Sequence, residues 1–143
     1  MLVLRDTREQ VPWTFEGQGI QTAPASLATG DYTVPGLEHA VAIERKSLDD
    51  WVGTVMRHRG RFYRELDRMR AVRFRCVIIE AGVREIMAGK YKSQVKPASV
   101  LAFVAEIAVA QSIPVYLGGT RAESQILAGA FLKMAAGKLN STP

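Results

Sequence analysis

The segment VAIERKSLDD, residues 41–50, runs an apolar alternating stretch into Glu44, Arg45 and Lys46 and then adds Asp49 and Asp50. Upstream, the segment from Thr29 to Val34 and the return from Val41 to Lys46 are separated by PGLEHA, a turn rich in Gly and Pro, which together predict a β-hairpin. If those six residues form the whole turn, Val34 pairs with Val41, Thr33 with Ala42, Tyr32 with Ile43 and Asp31 with Glu44. Directly opposed residues share a face of the sheet with Cβ atoms about 4.5–5.5 Å apart, so two carboxylates converge. Such a pair repels unless a cation lies between the acids or one of them takes up a proton. Side chains two apart on a strand share a face, which puts Lys46 beside Glu44 and turns Arg45 the other way. Two acids and one ammonium at the end of a hairpin suit metal-assisted phosphodiester hydrolysis. The acids hold a hard divalent ion that polarises the phosphate and acidifies water, and the ammonium offsets charge built in the transition state. A turn aspartate and a solvated strand face, in a register one residue off, give the same three residue types, and the pattern alone leaves both readings open.

The elements that must position these side chains follow from periodicity. LVLR at 2–5 reads as a short strand ending in the charged loop DTREQVPW. From Ser47 to about Arg70, residues Trp51, Val55, Phe62, Leu66 and Met69 fall on one side of a helix, which Gly60 is expected to break in two. RFRCVIIEAG is a buried strand, VREIMAGK a short helix closed by Gly89, and YKSQVK a basic loop. Pro97 opens an apolar helix to about Gln111, PVYLGG is a further buried strand, and RAESQILAGAFLKMAAGKL a last helix, with NSTP expected to fray. A hairpin followed by alternating helices and strands describes a mixed sheet with helices on its faces, the α/β class.

Length and composition bound the partners. At 143 residues the chain is expected to be a single domain, residues 1–139, with one core. Nineteen Lys and Arg against fourteen Asp and Glu give +5, which makes a polyanionic partner plausible. The lone Cys76 cannot form an internal disulfide and reads as a small buried hydrophobe of a reducing compartment. The N-terminus lacks the features of a secretory leader, and the most apolar window, 99–119, holds Glu106, Gln111 and Pro114, so a helix followed by a strand is expected there and no membrane span. An intracellular protein follows as the expectation. His39 and His58 have no spacing that pairs them as ligands, and no Ser or Cys nucleophile arrangement is visible.

The full string GDY at 30–32 followed by IERKSLDD resembles the GD…ERKxxxD signature of the XPF-type structure-specific endonucleases, with Gly30, Asp31, Glu44, Arg45, Lys46 and Asp50 in place. VLRDTRE resembles that family's first strand and the following Asp6, Arg8 and Glu9, and GRFYREL its Gly-Arg-aromatic segment. The resemblance implies a restriction-endonuclease-like core using Mg²⁺ or Mn²⁺, with Asp31 and Glu44 as metal ligands and Lys46 as the catalytic lysine. It further implies site roles for Asp6, as a third ligand, and for Arg45 and Asp50, with Glu9 in support. Dimerisation through the nuclease core and products with 5′-phosphate and 3′-hydroxyl ends are also implied. Many members carry a tandem helix-hairpin-helix domain after this core and some a helicase before it, neither of which this sequence contains. A small bacterial or phage nuclease of this type is the expectation, its preference for branched or flapped DNA left open.

Asp50 has a second explanation, since Ser47 as N-cap with an acid three residues on resembles a capping box. Between 57 and 75 there are eight arginines against only Glu65 and Asp67, which favours phosphate contact by Arg57, Arg59, Arg61, Arg64 and Arg68 over a merely solvated face. Arg8 joins them as a DNA-binding candidate. Lys90 and Lys92, beside Tyr91, read equally as a DNA clamp or a flexible loop. Ala98 to Gln111, with Ile126, Leu127, Phe131 and Leu132, carries more apolar surface than one face of a small sheet needs; core burial explains most of it, and the homodimer expected is the one the resemblance implies. The function expected is a metal-dependent DNA endonuclease, with a non-catalytic DNA-binding or scaffolding subunit, or a basic structural protein with a coincidental motif, as alternatives.

Overall fold

A computed structural model describes residues 1–141. Six strands form one mixed sheet in the order β2-β1-β3-β4-β5-β6. They are β1 (Leu2–Asp6), β2 (Gln21–Ala25), β3 (Tyr32–Thr33), β4 (Val41–Ser47), β5 (Phe74–Glu80) and β6 (Val115–Leu117). The β1–β3 and β3–β4 pairs are antiparallel, and β1–β2, β4–β5 and β5–β6 are parallel. Five helices follow the chain as α1 (Leu48–Arg57), α2 (Arg59–Met69), α3 (Val83–Met87), α4 (Pro97–Ala110) and α5 (Arg121–Asn140).

Strand alternation sorts the core into two layers. Val77 and Ile79 of β5 join Trp51, Phe62, Leu66, Ile86, Phe103 and Ile107 from α1 to α4. Cys76 and Ile78, with Val41 and Ile43 of β4, pack on the opposite face against Trp13, Phe15, Tyr32 and Ala128, Leu132 and Ala135 of α5. A strand covered on both faces carries consecutive apolar residues, which is why CVII reads as an unbroken run. On β4 the same alternation separates Val41, Ile43 and Arg45 from Ala42, Glu44 and Lys46.

The hairpin register is as the turn length predicts, with Tyr32 opposite Ile43. Its first strand is shorter than the expected stretch from Thr29 to Val34. Gly30 takes a φ of +73°, where a Cβ would stand 3.0 Å from the Ile43 carbonyl oxygen, and the chain bends there instead of extending. β2 has no counterpart in the periodicity reading; QTAPA lacks alternation and holds Pro24, which an edge strand tolerates because its free side needs no donor.

The helical break falls at His58 rather than at Gly60, with His58 (φ −121°) closing α1 and Gly60 lying inside α2. Restarting there turns Phe62 onto Trp51, with ring centroids 5.6 Å apart. Ser47 caps α1, its side chain accepting from Asp50 N at 3.1 Å. α5 continues through Asn140, so the fray expected from 140 is corrected at its first residue; residues 142–143 lie outside the described residues. Among the described residues, no helix is long and apolar enough to cross a membrane.

Candidate active site

A bend, a strand end and two helix faces bring the hairpin acids to a polar cleft of about 640 Å³. Asp31 is fixed from both sides. Its N–H donates to the Ile43 carbonyl at 2.7 Å, its carbonyl accepts from Asp6 N at 2.8 Å, and its Oδ2 accepts from Arg45 N at 2.8 Å. Glu44 reaches the cleft from β4 and is only 8% exposed. Lys46 follows on the same face, its Nζ 5.1 Å from the centroid of the Phe62 ring, and it forms no ion pair among the described residues.

Burial pushes the Asp31 carboxyl up from 3.8 to about 7; the hydrogen bond from Arg45 N and the Lys46 ammonium oppose the rise, and Glu9 and Asp6 add to it. Glu44 is raised well above the ordinary carboxylate range, first by burial, then by Asp31 and Glu65, with Lys46 pulling the other way. Two buried acids, both held above their ordinary range chiefly by burial, form a site where a cation can take the place of a proton. Among the described residues no group of three Asp, Glu, His or Cys side chains is arranged to hold a metal ion by itself. Two hard carboxylates nevertheless fit Mg²⁺ or Mn²⁺, because Mg²⁺ is commonly held by one or two carboxylates with water and substrate phosphate completing its shell.

Asp6 lines the cleft but is 1% exposed, and both its oxygens are taken: Oδ1 accepts from Leu27 N at 3.1 Å and Oδ2 from Arg8 Nε at 2.5 Å. Asp6 thus ties Leu27 and Arg8 to the end of β1, whereas no side chain donates to Glu44 and only a backbone N–H donates to the Asp31 carboxylate among the described residues. The Arg45 side chain is held among its neighbours. Its guanidinium lies 4.7 Å from the centroid of the Trp13 ring and donates to Glu80 at 2.8 Å, Glu9 at 3.0 Å and the Val11 carbonyl at 2.7 Å. Glu9 also accepts from the Tyr32 hydroxyl at 2.8 Å, so it supports both residues. Burial drives the Tyr32 phenol upward, which keeps it a donor. The partners Trp13 and Glu80 carried no sequence signal, since each lies in an apolar or mixed stretch far from the motif.

Asp50 is exposed in the first turn of α1 and lines the cleft, as do Arg8, Arg57, Arg61 and Arg68. Arg59 does not; it stacks on Phe103 at 4.6 Å, donates to the Val55 carbonyl and faces Glu106. Arg64, Lys90 and Lys92 also stand off the cleft lining. The loop carrying Lys92 is tied to α1 through Lys92 N and Asp49 Oδ1 at 3.1 Å. Sequence reasoning passed over Thr54, His58 and Glu65 as cleft residues. Glu65 was visible only as one of two acids in the arginine run.

The ERCC4 domain model matches residues 5–130. The chain belongs to the ERCC4 domain family. Among solved structures, an XPF from Aeropyrum pernix superposes with a TM-score of 0.72 at 19% identity, over 94% of this chain and 61% of that one. A second XPF from Aeropyrum pernix, in complex with DNA, gives a TM-score of 0.67 at 19% identity, over 96% of this chain and 66% of that one. The chain thus spans about three-fifths of the first of these, and the mixed sheet flanked by helices is the restriction-endonuclease-like fold of the XPF nuclease. No curated protein matches the chain. Within the ERCC4 fold, the motif residues lie where β3, β4 and α1 meet, and besides Arg8 and Arg45 the arginines that reach the same cleft come from the end of α1 and one side of α2.

Proposed function

We propose that this ERCC4 domain is a divalent-metal-dependent DNA endonuclease that hydrolyses phosphodiester bonds. The observation that carries the reading is the convergence of Asp31, Glu44 and Lys46 on one cleft lined also by Arg57, Arg61 and Arg68. Family membership and the likeness to an XPF in complex with DNA support it. Asp31 and Glu44 hold Mg²⁺ or Mn²⁺, which when bound supplies Lewis-acid polarisation of a phosphate oxygen and a more acidic water. Lys46 places an unpaired ammonium where negative charge grows on the phosphoryl oxygens. In the proposed step a water oxygen bonds to phosphorus and gives its proton to solvent, the bond from phosphorus to the 3′ oxygen breaks, and the departing 3′ oxygen takes up a proton from solvent, leaving 5′-phosphate and 3′-hydroxyl ends. The arginines hold flanking phosphates and set the strand's position; Asp50 stands near Lys46 as a site residue.

We read residues 1–139 as one intracellular nuclease domain acting as a homodimer. Val109, Ile126 and Met134 expose apolar side chains on α4 and α5, which supports self-association. A second reading, a DNA-binding or scaffolding subunit without catalysis, is favoured by the lack of three ligating side chains poised together among the described residues. Incubation with labelled flap, fork, duplex and single-stranded DNA, in Mg²⁺, Mn²⁺ or EDTA, separates them. Metal-dependent cutting lost in both Asp31→Asn and Lys46→Ala is the expected result. DNA binding with no cutting under any of these conditions would select the second reading.

A further inference from the structure

We infer that the loop between α3 and α4 is a second DNA-contact surface, on which Lys90, Lys92 and Lys96 hold phosphates of the duplex beyond the nucleotides seated in the cleft. This rests on the proposed function and names where the rest of its substrate lies.

Between 82 and 96 the chain carries Arg84, Lys90, Lys92 and Lys96 against one acid, Glu85. Glu85 is engaged locally, its Oε1 accepting from Gly82 N at 3.1 Å. All four cationic residues are exposed, and none forms an ion pair among the described residues. Like charges gathered without counter-charge repel one another, so the fold gains nothing from grouping them, and a polyanion supplies what is missing. The backbone beneath them is nonetheless pinned. The Tyr91 hydroxyl donates to the Val95 carbonyl, Val95 N to Ser93 Oγ at 3.1 Å and Lys90 N to the Glu85 carbonyl at 3.1 Å. A cationic loop ordered in advance loses little further freedom on binding.

The loop also stands where DNA leaving the cleft would meet it. Asp50, Gly53, Thr54 and Arg57 line the cleft from one face of α1. Asp49 and Met56, seven residues apart and so on a shared adjoining face, carry the loop. Asp49 Oδ1 accepts from Lys92 N at 3.1 Å, and Met56 Sδ accepts from Ser93 Oγ at 3.0 Å. Asp49 lines the cleft as well, which makes cleft and loop one continuous surface divided by α1. A helix is about 10–12 Å across with its side chains. A duplex advances about 3.4 Å per base pair, so roughly three base pairs carry it from the arginines of the cleft to the lysines of the loop. One DNA molecule then supplies phosphates to both sets of cations, the loop adding affinity and orientation without reading sequence.

The test is lysine footprinting of the whole chain in EDTA, by reductive methylation and mass spectrometry, with and without a blunt duplex several times longer than that crossing. Labelling is expected to be lost at Lys46, Lys90 and Lys92 when DNA is added, and kept at Lys133 on α5, across the sheet. Replacing Lys90, Lys92 and Lys96 together by Ala should lower the slope of log K against log salt by roughly 3, and replacing them by Arg should restore it. Thermal melts check that both variants fold. Protection of Lys46 while Lys90 and Lys92 label as in the free protein overturns the inference and leaves the cleft reading standing, as does a folded triple-Ala variant with the parent's slope. Protection of none of these lysines overturns the DNA reading of the cleft, and this inference with it.

Discussion

Asp31→Asn should make the metal-free protein more stable, and by an amount that depends on pH. Burial holds the folded-state carboxyl at about 7 against an ordinary 3.8. Between those values the native state binds more protons than the unfolded state, so stability falls as pH rises through that window and levels off above it. At ~1.4 kcal/mol per pH unit, the ionised carboxylate costs roughly 4 kcal/mol at pH 8 and almost nothing at pH 4. Asparagine removes the charge and retains an oxygen that can accept from Arg45 N, the contact now made by Oδ2. In EDTA the variant should therefore melt roughly 10 °C above the parent at pH 8, taking ~2–4 °C per kcal/mol for a chain of this size. At pH 4 the two should coincide. Excess Mg²⁺ should then close the gap at pH 8 by raising the parent's Tm alone, because a cation that binds only the native state stabilises it by mass action. Thermal melts by circular dichroism at half-unit pH steps, with EDTA and with Mg²⁺, read all of this. A variant no more stable than the parent at pH 8, or a difference that stays constant from pH 4 to 8, refutes the argument that Asp31 is held as a buried carboxylate in want of a cation.

Arg45→Ala leaves Glu9 and Glu80 without their cation and uncovers Trp13, so urea denaturation should show a loss of about 3–5 kcal/mol; a change below ~1 kcal/mol would leave the bracing role without support. Removing Arg57, Arg61 and Arg68 together should lower the slope of log K against log salt for DNA binding by roughly 3, about one per phosphate contact, whereas Arg59→Ala should leave the slope unchanged; a fluorescence anisotropy titration from 50 to 200 mM salt checks both. Gly30→Ala places a Cβ against the Ile43 carbonyl at a left-handed φ, and should cost about 1–3 kcal/mol in the same denaturation assay; a neutral outcome would show that the bend before Asp31 is not required.

The hairpin was legible because a six-residue turn sets a register, and the register carries Tyr32 to Ile43 and Asp31 toward Glu44 without further information. β5 and the helices α4 and α5 were legible from apolar runs and, for α4, from Pro97 at its start. What was not legible depends on long-range contacts that no local pattern encodes. Trp13, Phe15 and Tyr32 pack together at the sheet face under α5, with Trp13 and Tyr32 stacked at 4.9 Å, and this cluster shapes the segment between β1 and β2. Asp6 Oδ1 accepts from Leu27 N, 21 residues away, a contact that no spacing in the sequence announces.

The three consecutive charges that first draw the eye perform two jobs because a strand has a period of two. Glu44 and Lys46 turn to the cleft under α1 and α2. Arg45, between them, turns to the opposite face and is tied to Glu9, Glu80 and Trp13. Its backbone N–H returns to the first face by donating to Asp31. One residue thus anchors the strand end from behind and holds a cleft acid from the front. A loss of the guanidinium should therefore reach the proposed metal site without touching it. Arg45→Lys keeps the charge and the amide but not the fork that spans Glu9 and Glu80, so its Mn²⁺ affinity should fall less than that of Arg45→Ala, in step with the stability of each variant. Equal Mn²⁺ affinity in the parent and Arg45→Ala, alongside a large loss of stability, would separate the two faces and show that the hydrogen bond from Arg45 N alone keeps Asp31 in place.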